Sequence, residues 1–141
     1  MITSSRLITP ATISAPNRRL RACAVGGALL ATGAVWLAGH TLGVTFNVAA
    51  GGPPQIFSLP FLLGFTLQIA LAGWVTLATL EHYARHALRI WTALGLTVLA
   101  LSFAPIAIAG ASAPTKAALS LIHLSVGGVL LVTMRRSATR T

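Results

Sequence analysis

Apolar residues are gathered into four long blocks, separated by short polar or turn-forming segments. Roughly 20 residues at about 1.5 Å per residue are enough to cross a hydrocarbon core of roughly 30 Å. Because lipid offers no hydrogen-bond partners to the backbone, a block of this kind folds as a helix. The pattern predicts four transmembrane helices at about 22–44, 58–80, 88–109 and 115–134.

The connecting segments carry recognisable turn and cap signals. The segment 45–57 contains two adjacent glycines and two adjacent prolines and no charge, which predicts a long loop. Ser58 and Pro60 are suited to the start of the second helix. The segment 1–21 is predicted to be a flexible basic tail, and 135–141 is predicted to be a second basic tail.

Short connections make consecutive helices neighbours in space. The fold class predicted is therefore all-α, an integral membrane antiparallel four-helix bundle, in which the first and last helices touch. Composition agrees, since 55% of the residues are hydrophobic and only 8% are charged. So few charged side chains cannot cover the surface of a water-soluble domain.

The charge of the chain is concentrated outside the apolar blocks. The formal net charge is +9, and nine of the ten basic residues fall on one predicted side of the bilayer, with Lys116 on the other. Basic residues are retained on the cytoplasmic side, which predicts a plasma-membrane protein with both termini in the cytoplasm. Since the basic residues flank membrane spans and no aromatic residues interleave with them on a polar surface, nucleic acid is not expected as a partner.

His123 is the most informative polar residue within the blocks. It lies about eight residues into the fourth helix, too deep for its ring to reach the interface. Lys116, Ser120, His123 and Gly127 follow one another at helical spacing and share one face. We expect that face to look toward other helices rather than lipid.

The first helix offers a second candidate residue, His40. Gly26, Gly33 and His40 are each seven residues apart, and Gly39 and Gly43 have the GxxxG spacing that permits close helix packing. His40 and His123 both belong to the outer half of the bilayer and could approach each other. An interhelical hydrogen bond is the favoured interpretation of such a pair, with proton or substrate handling and a haem or metal site as alternatives.

Gln68 lies near the centre of the second helix, on a face with Gly64, Ala72 and Val75. Its amide is expected to bond to a neighbouring helix or to line a substrate path. Four further residues, which are basic or aromatic and lie near helix ends, are predicted to anchor the chain at the interface: Arg85, Arg89, Trp91 and Lys116. His82 and His86 are interpreted as interfacial too, so no metal site is predicted.

No catalytic group of residues is evident. The chain contains no Asp, its one acidic residue is Glu81, and it has neither a nucleotide-binding loop nor a nucleophile elbow. The leading hypothesis is a non-enzymatic accessory, interaction or assembly subunit without a cofactor, whose partners are the lipid bilayer and another membrane protein or further copies of itself. The alternatives are a small oligomeric transporter or channel and a redox protein that binds haem through His40 and His123.

The second half of the chain resembles a known family. The features that carry the resemblance are a basic turn ending in Arg89–Thr92, a proline-bearing third helix, and the segment Thr115–Leu124, which contains His123. From about Trp74 to Val132 the chain is similar to small actinobacterial four-helix membrane proteins of unknown function, and the first half resembles them in topology. The resemblance implies the fold and the membrane location, with no activity attached.

Overall fold

The computed structural model describes residues 15–49 and 51–138 of the 141-residue chain. Within these ranges the chain is mainly helical, and each of the four helices is long and apolar enough to cross a membrane. The elements are α1 (Ala15–Thr41), β1 (Asn47–Val48), β2 (Gln55–Ile56), α2 (Leu59–Tyr83), α3 (Ala87–Ile108) and α4 (Ala113–Ala138).

The helices contact one another in a closed cycle. The most extensive contact joins α1 to α4, and further contacts join α1 to α2, α2 to α3 and α3 to α4. The predicted contact between the first and last helices is confirmed. The least buried helix is α3, of whose described residues only Ala87 and Trp91 are buried.

The interior follows one buried stripe on α1 and one on α4. On α1, the buried residues Arg21, Ala24, Ala28 and Thr32 follow at spacings of three and four, which places them on one helical face. The small side chains of Ala24 and Ala28 let the helices approach closely, and a Cβ on the nearby Gly27 would lie 3.1 Å from a methyl group of α4. The α4 stripe runs through Thr115, Leu119, Ile122, Val126, Leu130, Met134 and Ser137.

Two predicted helix limits need correction at the ends nearest the chain termini. Residues 15–21, expected to belong to a flexible tail, form the first two turns of α1, with Pro16 in the first turn, where its missing N–H is no loss. Similarly, α4 continues to Ala138 rather than ending near 134. Residues 1–14 and 139–141 of the predicted tails lie outside the described residues.

The C-terminal end of α1 explains a second correction. Gly43 has φ +80°, and the N–H groups of Gly43 and Val44 donate to the carbonyls of His40 and Gly39. This is the Schellman arrangement, in which glycine adopts the left-handed conformation and stops the helix. Gly39 and Gly43 therefore end α1 at Thr41 instead of forming the predicted helix-packing pair, and the predicted limit near 44 is three residues too long.

The loop between α1 and α2 contains a short hairpin that the turn-rich sequence did not predict. Asn47 pairs with Ile56 and Val48 with Gln55 in an antiparallel ladder. Ala49 also exchanges two backbone hydrogen bonds with Gly110, which joins the hairpin to the α3–α4 connection. We call this end of the molecule the hairpin end. The opposite end, with the start of α1, the α2–α3 turn and the end of α4, is the basic end.

Candidate functional site

A buried guanidinium organises the basic end. Nη2 of Arg21 on α1 lies 2.7 and 2.6 Å from the two carboxylate oxygens of Glu81 on α2. Nε of Arg21 donates to the hydroxyl of Ser137 on α4 at 3.3 Å, and that hydroxyl donates to the carbonyl of Met134. One side chain thus connects three helices, and we call these three residues the Arg21 network.

In the Arg21 network, a positive charge that is shielded from solvent is paired with a negative charge that is partly exposed. Arg21 is 1% exposed, whereas 32% of the Glu81 side chain is exposed. Glu81 is the single acidic residue of the sequence, so its carboxylate is the only side chain that can neutralise the charge of Arg21. Nη1 of Arg21 is buried and has no hydrogen-bond partner among the described residues.

Residue patterns did not identify this network. Arg21 was expected in a basic tail and Glu81 in the cytoplasmic turn, whereas the structure places both within helices. A usable signal existed: Arg21 continues the stripe of Ala24, Ala28 and Thr32 by one helical turn. A lone acidic residue in an apolar chain is a second signal, because a buried Arg requires such a partner.

Further hydroxyl contacts lie deeper in the helices. The hydroxyls of Thr32 on α1 and Thr66 on α2 are 2.9 Å apart, both side chains are buried, and Thr32 also donates to the carbonyl of Ala28. These contacts satisfy the polar atoms that the helices enclose, as a medium without water requires.

Trp91 has a different role from the predicted interfacial anchor. It is 5% exposed, and its indole N–H donates to the carbonyl of Gly73 on α2 at 3.0 Å. A buried indole needs such an acceptor. Trp91 therefore fastens α3 to α2 from inside instead of facing the lipid head groups.

The other predicted anchors lie at opposite ends. Arg85 and Arg89 are exposed and line, with Glu81, a shallow depression of about 360 Å³ at the basic end. At the hairpin end, Nζ of Lys116 donates to the carbonyl of Ala107 at 2.8 Å, where the last turn of α3 leaves carbonyl groups without helical partners. The anchoring of Arg85 and Arg89 at head groups stays a prediction.

His123 lies beside α3, and Ser120 lies about one turn before it on α4. Nδ1 of His123 lies 2.8 Å from the carbonyl of Leu119 on its own helix, and its ring centroid lies 6.3 Å from that of Phe103 on α3. A Cβ on Gly127, one turn further on, would lie 3.0 Å from Leu99 of the same helix. The expected orientation of this face toward another helix agrees with these contacts. Ser120 is half-buried.

His40 has other neighbours. Its ring stacks on that of Trp36, with centroids 4.9 Å apart, and the side chain is exposed. No hydrogen bond or ring contact joins His40 to His123 among residues 15–49 and 51–138. In the same ranges no group of three or more His, Cys, Asp or Glu residues is placed to hold a metal ion. The haem interpretation of the two histidines therefore gains no support from the geometry.

Gln68 lies on the side of α2 that turns away from the other helices. The buried residues of α2 occupy the opposite side: Leu62, Thr66, Ala70 and Leu77. The exposed residues form what we call the outward face of α2: Gly64, Gln68, Ala72, Val75 and Thr79. The Gln68 amide makes no hydrogen bond within the part of the chain that the structure describes, so the expected bond to a neighbouring helix of the same chain is not formed.

The comparisons with known proteins give a family and no activity. A family model described as "Family of unknown function (DUF6069)" matches residues 12–140. The matched range includes the first half of the chain, where the likeness had been expected in topology more than in sequence. No curated protein and no solved structure matches the chain.

Proposed function

Since the chain belongs to the DUF6069 family, we propose for this member a non-enzymatic role as an accessory, interaction or assembly subunit in the plasma membrane. It crosses the bilayer as an antiparallel four-helix bundle and acts by contact with membrane-embedded protein.

Insertion into lipid is supported by how little of each apolar helix the fold encloses. In the most apolar stretch of each helix, at most 28% of the residues are buried inside the molecule. Large side chains such as Leu30, Val75 and Ile108 are at least 64% exposed. A surface of this size and apolarity is stable in hydrocarbon and aggregates in water.

The orientation rests on the separation of the basic residues. Arg18, Arg19, Arg85 and Arg89 all belong to the basic end, as do the last residues of α4, while Lys116 lies at the hairpin end. Cytoplasmic loops hold the excess of Lys and Arg, so the basic end and both termini face the cytoplasm. Reporters fused to the C-terminus and inserted between Gly51 and Gly52 test this: an alkaline phosphatase that is active only at the second site agrees, and the reverse pattern contradicts it.

One observation carries the proposed role, namely the outward face of α2. Among the described residues, Thr32 and Thr66 use their hydroxyls in internal contacts, and Trp91 uses its indole N–H. Arg21 uses the N–H groups on Nε and Nη2. The Gln68 amide instead projects from the molecule, and a primary amide that faces hydrocarbon lacks any partner. A polar group in that position is stabilised when another membrane protein covers it.

In-membrane photo-crosslinking tests this role. A photoreactive amino acid replaces Val75 on the outward face of α2, and the matched control replaces Val98 of α3; these residues are 64% and 57% exposed. We expect a discrete protein adduct from position 75 and none from position 98. Adducts to lipid alone from both positions would refute the interaction role.

A further inference from the structure

The outward face of α2 is continuous over the length of the helix. Gly64, Gln68, Ala72, Val75 and Thr79 follow at spacings of four, four, three and four, so they lie along one side. A shallow groove of about 400 Å³ extends along the same helix between Leu71 and Tyr83, and every residue that lines it belongs to α2. No other described element covers this side of the molecule.

Gln68 differs from three hydroxyl-bearing residues near it in depth or on the outer sides of the helices. The hydroxyls of Thr76, Thr79 and Ser125 donate to carbonyls four residues earlier in their own helices. The Gln68 amide carries two donors and an acceptor and uses none of them within the described chain. Nine residues from the first residue of α2, it lies about 14 Å along the axis, well inside a hydrocarbon core of roughly 30 Å.

We propose that the partner is a second copy of this chain, bound through the outward face of α2 with the two Gln68 amides paired across a twofold axis. This inference rests on the proposed function and names its partner. Two identical amides satisfy each other through two reciprocal N–H···O bonds. When the twofold axis is normal to the membrane, the two Gln68 residues lie at the same depth.

The residues around Gln68 fit such a contact. Gly64 and Ala72 lie one turn before and one turn after it, and neither carries a side chain that would hold two helices apart. A Cβ on Gly64 would meet nothing within 4 Å in the single chain, so the space beside it is open to a partner. A different membrane protein would need a matching polar group at the same depth, whereas a second copy supplies one.

The exposed side of α3 provides the contrast. Leu94, Val98 and Leu101 are 47 to 65% exposed and are apolar, a surface that lipid covers without loss. Thr97 is the exposed polar residue in this region, and it carries a short hydroxyl rather than an amide. We therefore assign the contact between copies to α2 and expect the exposed side of α3 to face lipid.

Disulfide crosslinking in native membranes tests the proposal. The native Cys23 is exposed and is first replaced by serine. Ala72→Cys on α2 is compared with Ala100→Cys on α3, both at exposed alanines. We expect oxidation to give a covalent dimer from position 72 and at least tenfold less from position 100. Equal yields, or no dimer from position 72, overturn the proposal.

A second variant isolates the amide. Gln68→Leu in the Ala72→Cys background keeps a side chain of similar volume and removes the polar group. Dilution of fluorescently labelled protein into vesicles should show a dissociation constant raised about tenfold, as expected for the loss of an interhelical polar contact. An unchanged dissociation constant and crosslinking yield overturn the amide pairing. Gln68→Asn keeps an amide, and its dissociation constant should lie between those of the protein with Gln68 and of Gln68→Leu.

The outcomes separate this inference from the function on which it rests. A photo-adduct from position 75 with the mass of two chains supports both. An adduct with a different protein upholds the interaction role and overturns the pairing of two copies. Absence of any protein adduct overturns both. Far-ultraviolet circular dichroism and a single elution peak in detergent establish that each variant is folded.

Discussion

The basic end and the hairpin end of this protein are held together by different kinds of contact. At the basic end, side chains of Arg21, Glu81 and Ser137 connect three helices. At the hairpin end the connections are mainly backbone hydrogen bonds, in the strands β1 and β2 and between Ala49 and Gly110. The two ends thus depend on residue identity to different degrees.

The difference shows where a substitution should matter. Backbone hydrogen bonds are kept after most side-chain substitutions. The hairpin end therefore depends on a few glycines, such as Gly39, which has no room for a side chain, and Gly43, which has a positive φ. The Arg21 network depends on three particular side chains, and a buried charge without its partner is costly. We therefore expect the largest single-residue effect at the basic end.

Removal of the carboxylate should produce that effect. Glu81→Ala leaves the guanidinium of Arg21 buried without its counter-ion, and we expect a loss of about 3 kcal/mol in the free energy of unfolding, at the low end of the usual range because Glu81 is partly exposed. Chemical denaturation in detergent, followed by circular dichroism, measures it.

Two controls accompany this prediction. Arg19→Ala removes an exposed basic residue from the same helix and should change the free energy of unfolding by less than about 0.5 kcal/mol. The double variant Arg21→Met, Glu81→Leu replaces the pair by apolar side chains and should recover most of the loss. If Glu81→Ala is no worse than Arg19→Ala, the basic end is not held by its charges.

At the hairpin end we expect the largest effect at Gly39. A Cβ there would lie 2.8 Å from Cζ of Phe46, whose side chain is 2% exposed and has little room to move. Gly39→Ala should lower the free energy of unfolding by about 1 kcal/mol, after the gain in helix propensity is subtracted from the cost of overpacking.

The matched control is Gly33→Ala on the same helix, where an added Cβ meets nothing within 4 Å. It should leave the free energy of unfolding unchanged or raise it by up to about 1 kcal/mol. Equal effects of the two substitutions would mean that Phe46 does not pack tightly over Gly39.

The smallest effect is expected between the two ends, at the pair of threonine hydroxyls. A double-mutant cycle with Thr32→Val and Thr66→Val should give a coupling energy of about 0.6 kcal/mol, typical of a neutral polar contact between membrane helices. The same cycle for Arg21 and Glu81 should give several times more. A threonine coupling as large as the charged one would remove the distinction between the basic end and the rest.

The helices could be predicted from the sequence because their signals are local. A run of apolar residues of sufficient length, with Ser58 and Pro60 at the start of α2, places a helix without knowledge of its neighbours. The limits were less accurate where a local signal was missed: Gly43 stops α1 three residues before the predicted limit, and Pro16 allows an earlier start.

The polar contacts could not be predicted because they join residues that are distant in sequence. Arg21 is 60 residues from Glu81 and 116 from Ser137. Arg21 also lies close in sequence to Arg18 and Arg19, which are exposed. From the sequence alone, all three look like basic residues that flank a membrane span. The orientation of Gln68 was missed for a similar reason, since an amide gives no local sign of which neighbour lies beside it.

The members of the Arg21 network come from the first, second and fourth helices, and the ribosome delivers them in that order. Until α2 is inserted, the guanidinium has no counter-ion, and until the last turns of α4 are made, its Nε lacks the serine hydroxyl. A chain interrupted before the last turns of α4 therefore leaves Arg21 without one of its hydrogen-bond partners. The full Arg21 network therefore forms only after the fourth helix has been made and has packed against the first.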